Sequence, residues 1–153
     1  MAAGEPGPAF FLGTGGKRPA IYGVGRDGAA NILAPSEAGQ SFYSVAVSPG
    51  GNRLAAGVRN SAAGDRYGRV FAWARRPDGS VETARPLLSC FQPTSVSAVD
   101  MPTDETIVSG GIDGVVRWWR LDRPEREVGS LPVHAGQVLA LREHDGLSGL
   151  SGL

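Results

Sequence analysis

The sequence is poor in the residues that most binding and catalytic chemistry draws on. It has one cysteine (Cys90), one lysine (Lys17), two histidines (His134 and His144), and no apolar run near the roughly 20 residues of a membrane-spanning helix. A lone cysteine excludes an internal disulfide. Two histidines ten positions apart, with no second thiol, do not have metal-ligand spacing. Charge of one sign is missing as well: fifteen basic residues stand against fifteen acidic ones, and the isoelectric point is near 6.7. No whole-chain field would draw in nucleic acid or an anionic membrane, so neither is expected as a partner. The opening residues Met1 to Pro6 lack the basic and apolar regions of a secretory signal, and the expected address is cytoplasmic.

What the chain does have is punctuation. Among 153 residues are 23 glycines and 11 prolines, a composition that suits short strands joined by tight turns around one core. Ala29 to Ala34 is closed by Pro35, and other segments are cut by glycine or proline, so long helices are not expected. A repeat is visible instead. Phe42 to Val47 runs into the turn at Ser48 to Asn52, and Val96 to Met101 runs into Pro102 to Glu105. A second strand follows each turn, Leu54 to Gly57 and Ile107 to Gly110, and Leu12 to Gly15 reads the same way. Third strands are expected at Ile21 to Val24, Arg69 to Trp73 and Val115 to Trp119; more polar fourth strands are expected at Ser80 to Arg85 and Glu125 to Gly129. Leu12 and Leu54 lie 42 positions apart, as do Val99 and Leu141, within the 40 to 45 residues of a propeller blade.

With these residues in view, Ser109 to Trp119 resembles the second-strand, turn and third-strand signature of a WD-repeat β-propeller, and Val133 to Val138 is similar to its Gly-His element. The resemblance runs from Phe11 onward and is strongest over Phe42 to Leu141. It implies an all-β fold, a β-propeller segment of about three four-stranded antiparallel blades. The expected divisions are an N-terminal segment (1–10), a partial blade with strands two to four (11–41), two whole blades (42–94 and 95–136), and the start of a further blade (137–153). Blades of this family are locked by a loop histidine, a second-strand Ser or Thr, a turn Asp and a third-strand Trp. Ser109, Asp113 and Trp119 match three of those positions, with His134 as a loop clamp and Trp73 as a core tryptophan. Gln92 and Ala38 stand where histidines are expected, and Arg120 replaces the aspartate of the Trp-Asp pair.

Rival chemistries meet physical objections. Gly23 to Gly28 spells G-x-G-x-x-G, but Pro35 prevents the helix that would face a pyrophosphate, and no suitably spaced acid follows; a turn is expected there. Gly13 to Lys17 lacks the upstream glycine and the following hydroxyl of a phosphate loop. Cys90 is read as a semi-buried thiol in a connecting segment, and Trp118 is expected to point away from Trp119.

The resemblance implies a non-catalytic scaffold or sensor module that binds protein partners without a cofactor. About three blades are too few to close a ring. The chain is therefore expected either to be a fragment of a longer protein or to complete its ring by self-association. The alternative is a portion of an enzyme built on a propeller scaffold. Seven extra residues fall between strands two and three of the first whole blade, within Arg59 to Gly68. If that loop shares one end with the connection Leu87 to Thr94, then Arg59, Arg66, Tyr67 and Phe91 gather there as interface anchors. Charge is uneven along the chain: seven arginines against three acids from Gly51 to Pro86, and seven acids against four arginines from Asp100 to Glu127.

Overall fold

The computed structural model describes residues 10–15, 19–35, 40–60, 67–133, 136 and 138. Among the described residues there is no helix, and eleven strands form three separate antiparallel sheets. The first sheet holds β1 (Phe10–Gly13), β2 (Ala20–Val24) and β3 (Ala30–Pro35). The second holds β4 (Gln40–Val47), β5 (Arg53–Asn60), β6 (Gly68–Ala74) and β7 (Leu88–Gln92). The third holds β8 (Val96–Thr103), β9 (Thr106–Gly111), β10 (Val115–Arg120) and β11 (Gly129–Pro132). Each sheet is an up-and-down meander in chain order, and the sheets stack face to face: β4 packs on β1 and β2, and β8 packs on β4 and β5.

Side-chain alternation explains the stacking. In β5, Leu54, Ala55, Ala56 and Val58 are all fully buried, because alternate residues enter two different cores. Leu54, Ala56 and Val58 join Phe42 and Trp73 against Ile21 and Ala34 of the first sheet. Ala55, with Val70, Ala72, Leu88 and Cys90, packs against Val96, Val99, Met101, Ile107 and Trp119 of the third. The second sheet is thus covered on both faces. Among the described residues the third is covered on one face and carries only Val138 on the other, and β10 alternates accordingly: Trp119 is 2% exposed and Trp118 is 36% exposed.

One contact repeats at each sheet. A Cβ on Gly13 would strike Phe42, one on Gly57 would strike Val96, and one on Gly110 would strike Val138, so glycine in β1, β5 and β9 admits the close approach of a residue that follows the sheet. A backbone bond accompanies two of these contacts, from Phe42 N to Thr14 O and from Val138 N to Gly111 O. The turns share a second device. In Gly25 to Gly28, Arg76 to Gly79 and Gly111 to Gly114, a glycine at positive φ closes the turn, and the preceding aspartate accepts the amide two residues on. The G-x-G-x-x-G stretch is therefore a hairpin turn. Where Gly50 replaces that aspartate, Asp104 of the third sheet reaches across to accept the Gly50 amide at 2.8 Å.

Three expectations are corrected. Fourth strands lie further along than Ser80 to Arg85 and Glu125 to Gly129: the strand beside β6 is Leu88–Gln92, and the one beside β10 is Gly129–Pro132. The polar stretch after β6 turns back at Asp78-Gly79 and meets the end of β6 only briefly, at the Arg75–Val81 bridge and the bond from Glu82 N to Ala74 O. It is Leu88 and Cys90 that alternate into the core. Consequently Leu87 to Thr94 is mostly strand, the connection into the third sheet is Pro93 to Ser95, and Cys90 belongs to β7 and not to a connecting segment. Ala30–Pro35 is a strand, with Pro35 closing it at an edge.

Candidate functional site

The polar constellation expected from the sequence lies between the second and third sheets. Ser109 in β9 is fully buried; its Oγ accepts Trp119 Nε1 at 2.8 Å and donates to Gln92 Oε1 at 2.9 Å. Gln92, the last residue of β7, is itself buried, so three side chains from three strands tie the second sheet to the third. Its Nε2 is buried without a partner. Asp113 lies beside this group, and its strongest bonds run to Arg117: Nη2 to Oδ2 at 2.7 Å, and Nη1 to Oδ1 at 3.3 Å. Burial works to raise the Asp113 carboxyl; the hydrogen bond from Arg117, the Val115 amide and the Arg117 charge outweigh it and hold the group below its usual range. Arg117 is buried, with Glu127 on its other side at 3.4 Å. His134, named as the loop clamp, lies outside the described residues.

In the second sheet the equivalent tryptophan, Trp73, faces the first sheet with no such group. Ala56 occupies the place of Ser109 and Phe71 that of Arg117, by their register against the two tryptophans. Trp73 instead stacks on Phe71 (centroids 5.1 Å apart, planes 11° apart) and meets the edge of Phe42 at 6.3 Å.

Of the residues expected at one end of the second sheet, Arg59, Tyr67 and Phe91 are described and Arg66 is not. Arg59 pairs with Gly68, which pairs with Gln92, so all three described residues lie at the same end of adjoining strands. Tyr67 is 53% and Phe91 64% exposed. The Arg59 guanidinium lies 5.5 Å from the Tyr43 ring centre and donates to its hydroxyl at 3.1 Å. Arg69 was not singled out from the sequence. It lies between two rings, 4.9 Å from Phe71 and 4.7 Å from Phe91. Half of its signal was local, since Arg69, Phe71 and Trp73 alternate on one face of β6; the approach of Phe91 was not. A cleft of about 220 Å3, bounded by Pro35, Phe42, Phe71, Trp73 and Pro86, opens beside them.

Catalytic features are sparse among the described residues. Cys90 Sγ donates to Pro124 O at 2.7 Å, and burial, with the nearby Glu125 charge, pushes the thiol upward, away from nucleophilic readiness. Among the described residues no three His, Cys, Asp or Glu side chains converge as a metal site, and no helix is long and apolar enough to cross a membrane.

The fold has solved counterparts. A mitotic checkpoint complex chain (TM-score 0.57, 15% identity, 93% of this chain covered), the Dos1 propeller (0.58, 16%, 78%) and a luciferin-regenerating enzyme (0.61, 16%, 82%) share it. No family model and no curated protein matches the sequence. The architecture is that of a β-propeller segment, and the likeness to WD-repeat propellers stands at the level of the fold. The chain spans 49%, 30% and 40% of the length of those three chains.

Proposed function

We propose that this chain is a non-catalytic protein-interaction platform of WD-repeat type that needs no cofactor, works in the cytoplasm and completes its ring through its two outer sheet faces. The observation that carries the binding role is the exposure of Tyr67 and Phe91 beside Arg59 and Arg69, at the end where β5, β6 and β7 meet. Aromatic and arginine side chains anchored on rigid strands are the residue types that dominate interfaces.

Ring completion is supported by what the outer faces present. On the first sheet, Leu12 pairs with Tyr22 and Tyr22 with Ile32, forming an apolar row directed away from the second sheet, with Leu12 50% and Ile32 61% exposed. On the third sheet, Val116 and Trp118, with Leu131 at 55% exposure, face outward. Among the described residues the first sheet has three strands where the others have four, with β1 at one edge and β3 at the other. A second copy set head to tail would bring these two faces together.

A pull-down from the source cell tests the platform. Replacing Arg59, Arg66, Tyr67 or Phe91 by alanine should weaken capture of the partner by about 1 kcal/mol or more at true anchors, with the melting temperature nearly unchanged. Unaltered capture would move the site elsewhere. An enzyme portion is the second reading, favoured by the luciferin-regenerating enzyme among proteins of the same fold. Melting shifts on adding nucleotides or divalent metals would support it.

A further inference from the structure

We propose that the ladder Trp73, Phe71, Arg69 and Phe91 is a recognition site for an extended acidic protein segment, in which a carboxylate meets Arg69 and a neighbouring bulky apolar side chain enters the adjoining cleft. This rests on the protein-binding reading above and names the partner's chemistry.

The geometry begins with register. Arg69 and Phe91 are paired across β6 and β7, and Phe71 is two residues on from Arg69, so both rings flank one guanidinium from the same face of the sheet. Cation–π contact with two rings orders the guanidinium and uses none of its N–H donors, which are left for an in-plane acceptor. No acceptor is supplied. The ion pairs among the described residues involve Arg53, Arg76, Arg117 and Arg120 and none involves Arg69; its Nε is buried, so an incoming carboxylate would meet the Nη donors. A guanidinium pre-set in this way suits the bidentate geometry of a carboxylate.

Local charge points to the same ligand. From Gly51 to Pro86 arginines outnumber acids seven to three. Two of those acids are engaged at home: Glu82 with Arg76, and Asp78 with Ser80. An acidic segment is therefore complementary to this part of the chain.

Phe71 is shared with the cleft. At about 220 Å3 the cleft is smaller than the roughly 300 Å3 at which small-molecule pockets begin, and its aromatic and proline walls suit a single apolar side chain. The cleft begins at Phe71, two residues on from Arg69 and roughly 7 Å away at the usual rise, and runs toward the buried Trp73, so an extended ligand can set side chains two or four positions apart over Arg69 and the cleft.

The test is a synthetic peptide array in a neutral serine-glycine host. Two positions, spaced by two or four, are varied through all twenty residues and probed with the whole purified chain. The expected result is brightest binding where Asp or Glu is combined with Leu, Ile, Phe or Trp, about tenfold above the matched Asn or Gln peptides. Arg69→Gln should erase the acidic preference and keep the apolar one. Arg69→Lys, which keeps the charge and loses the plane, should lose most of the preference. Phe91→Leu, at an exposed position, removes one side of the clamp and should weaken the acidic preference even if an Arg69 variant fails to fold. A blank array, no acidic preference, or one that survives Arg69→Gln with Phe91→Leu overturns the proposal. A cellular partner that ignores Arg69→Gln but is released by the alanine variants of Arg59, Arg66 and Tyr67 would overturn this site while leaving the platform reading in force.

Discussion

The second and third sheets set the same tryptophan against the preceding sheet and hold it by different means. Trp119 is fixed by a buried polar chain through Ser109 to Gln92, whereas Trp73 is fixed by rings, between Phe71 and the edge of Phe42. A hydrogen-bonded lock demands matched partners: removing one leaves the others buried and unsatisfied. Ring packing makes no such demand and tolerates exchange of one apolar group for another. The difference explains how one repeat can keep a recognisable signature while its neighbour loses it and retains the fold. It also frees the second sheet for other uses. With Phe71 in place of Arg117, the aromatic stack continues outward to Arg69 and Phe91 and reaches solvent.

Conservative substitutions can break this comparison. Trp119→Phe and Trp73→Phe remove similar bulk, but only the first removes a hydrogen-bonded N–H and leaves Ser109 with a broken chain. The third-sheet variant should lose roughly 1–3 kcal/mol more than the second-sheet variant in denaturant titrations. Ser109→Ala combined with Gln92→Ala should cost clearly less than the two single changes added together, because the three side chains act as one network. Equal losses at the two tryptophans would mean that the polar chain contributes nothing beyond packing.

A smaller effect, confined to acid, should sharpen the same contrast. The Asp113 carboxyl is held below its usual range in the fold, so its contribution to stability is fully present above its unfolded value of about 3.9 and is lost as pH falls through the lower folded value. Asp113→Asn should therefore lower the neutral-pH melt, where the charged pairing is fully present, and flatten part of the fall in stability between about pH 4 and the acid limit. If the acid profile of Asp113→Asn follows the parent throughout, the Arg117 pairing carries no pH-dependent stability.

The parts of this arrangement that were legible in the sequence are those in which a short pattern dictates a local geometry. The glycine-rich turn at Ser48 to Asn52 marks a hairpin, and the apolar run Leu54 to Gly57 marks the strand after it, while its burial on both faces is seen only once the sheets are stacked. Ser109 and Trp119 stood out because their spacing fits a familiar signature. The fourth strands were misplaced because an outer strand has weak alternation: Ser80 to Arg85 and Leu88–Gln92 both follow a turn, and only pairing with β6 separates them. The Arg69 clamp was hidden for another reason. Phe91 lies 22 positions further along the chain, and nothing local indicates that β7 brings its ring back over the guanidinium.

The central claim, that this propeller segment associates through its outer faces, is tested most directly by sedimentation of mixed variants. The wild-type chain should self-associate as its concentration rises. Ile32→Asp on the first sheet and Leu131→Asp on the third should each abolish association alone, and an equal mixture of the two should form a heterodimer, because one intact pair of faces remains. A wild-type chain that stays a well-folded monomer throughout, or a mixture that never pairs, would contradict it.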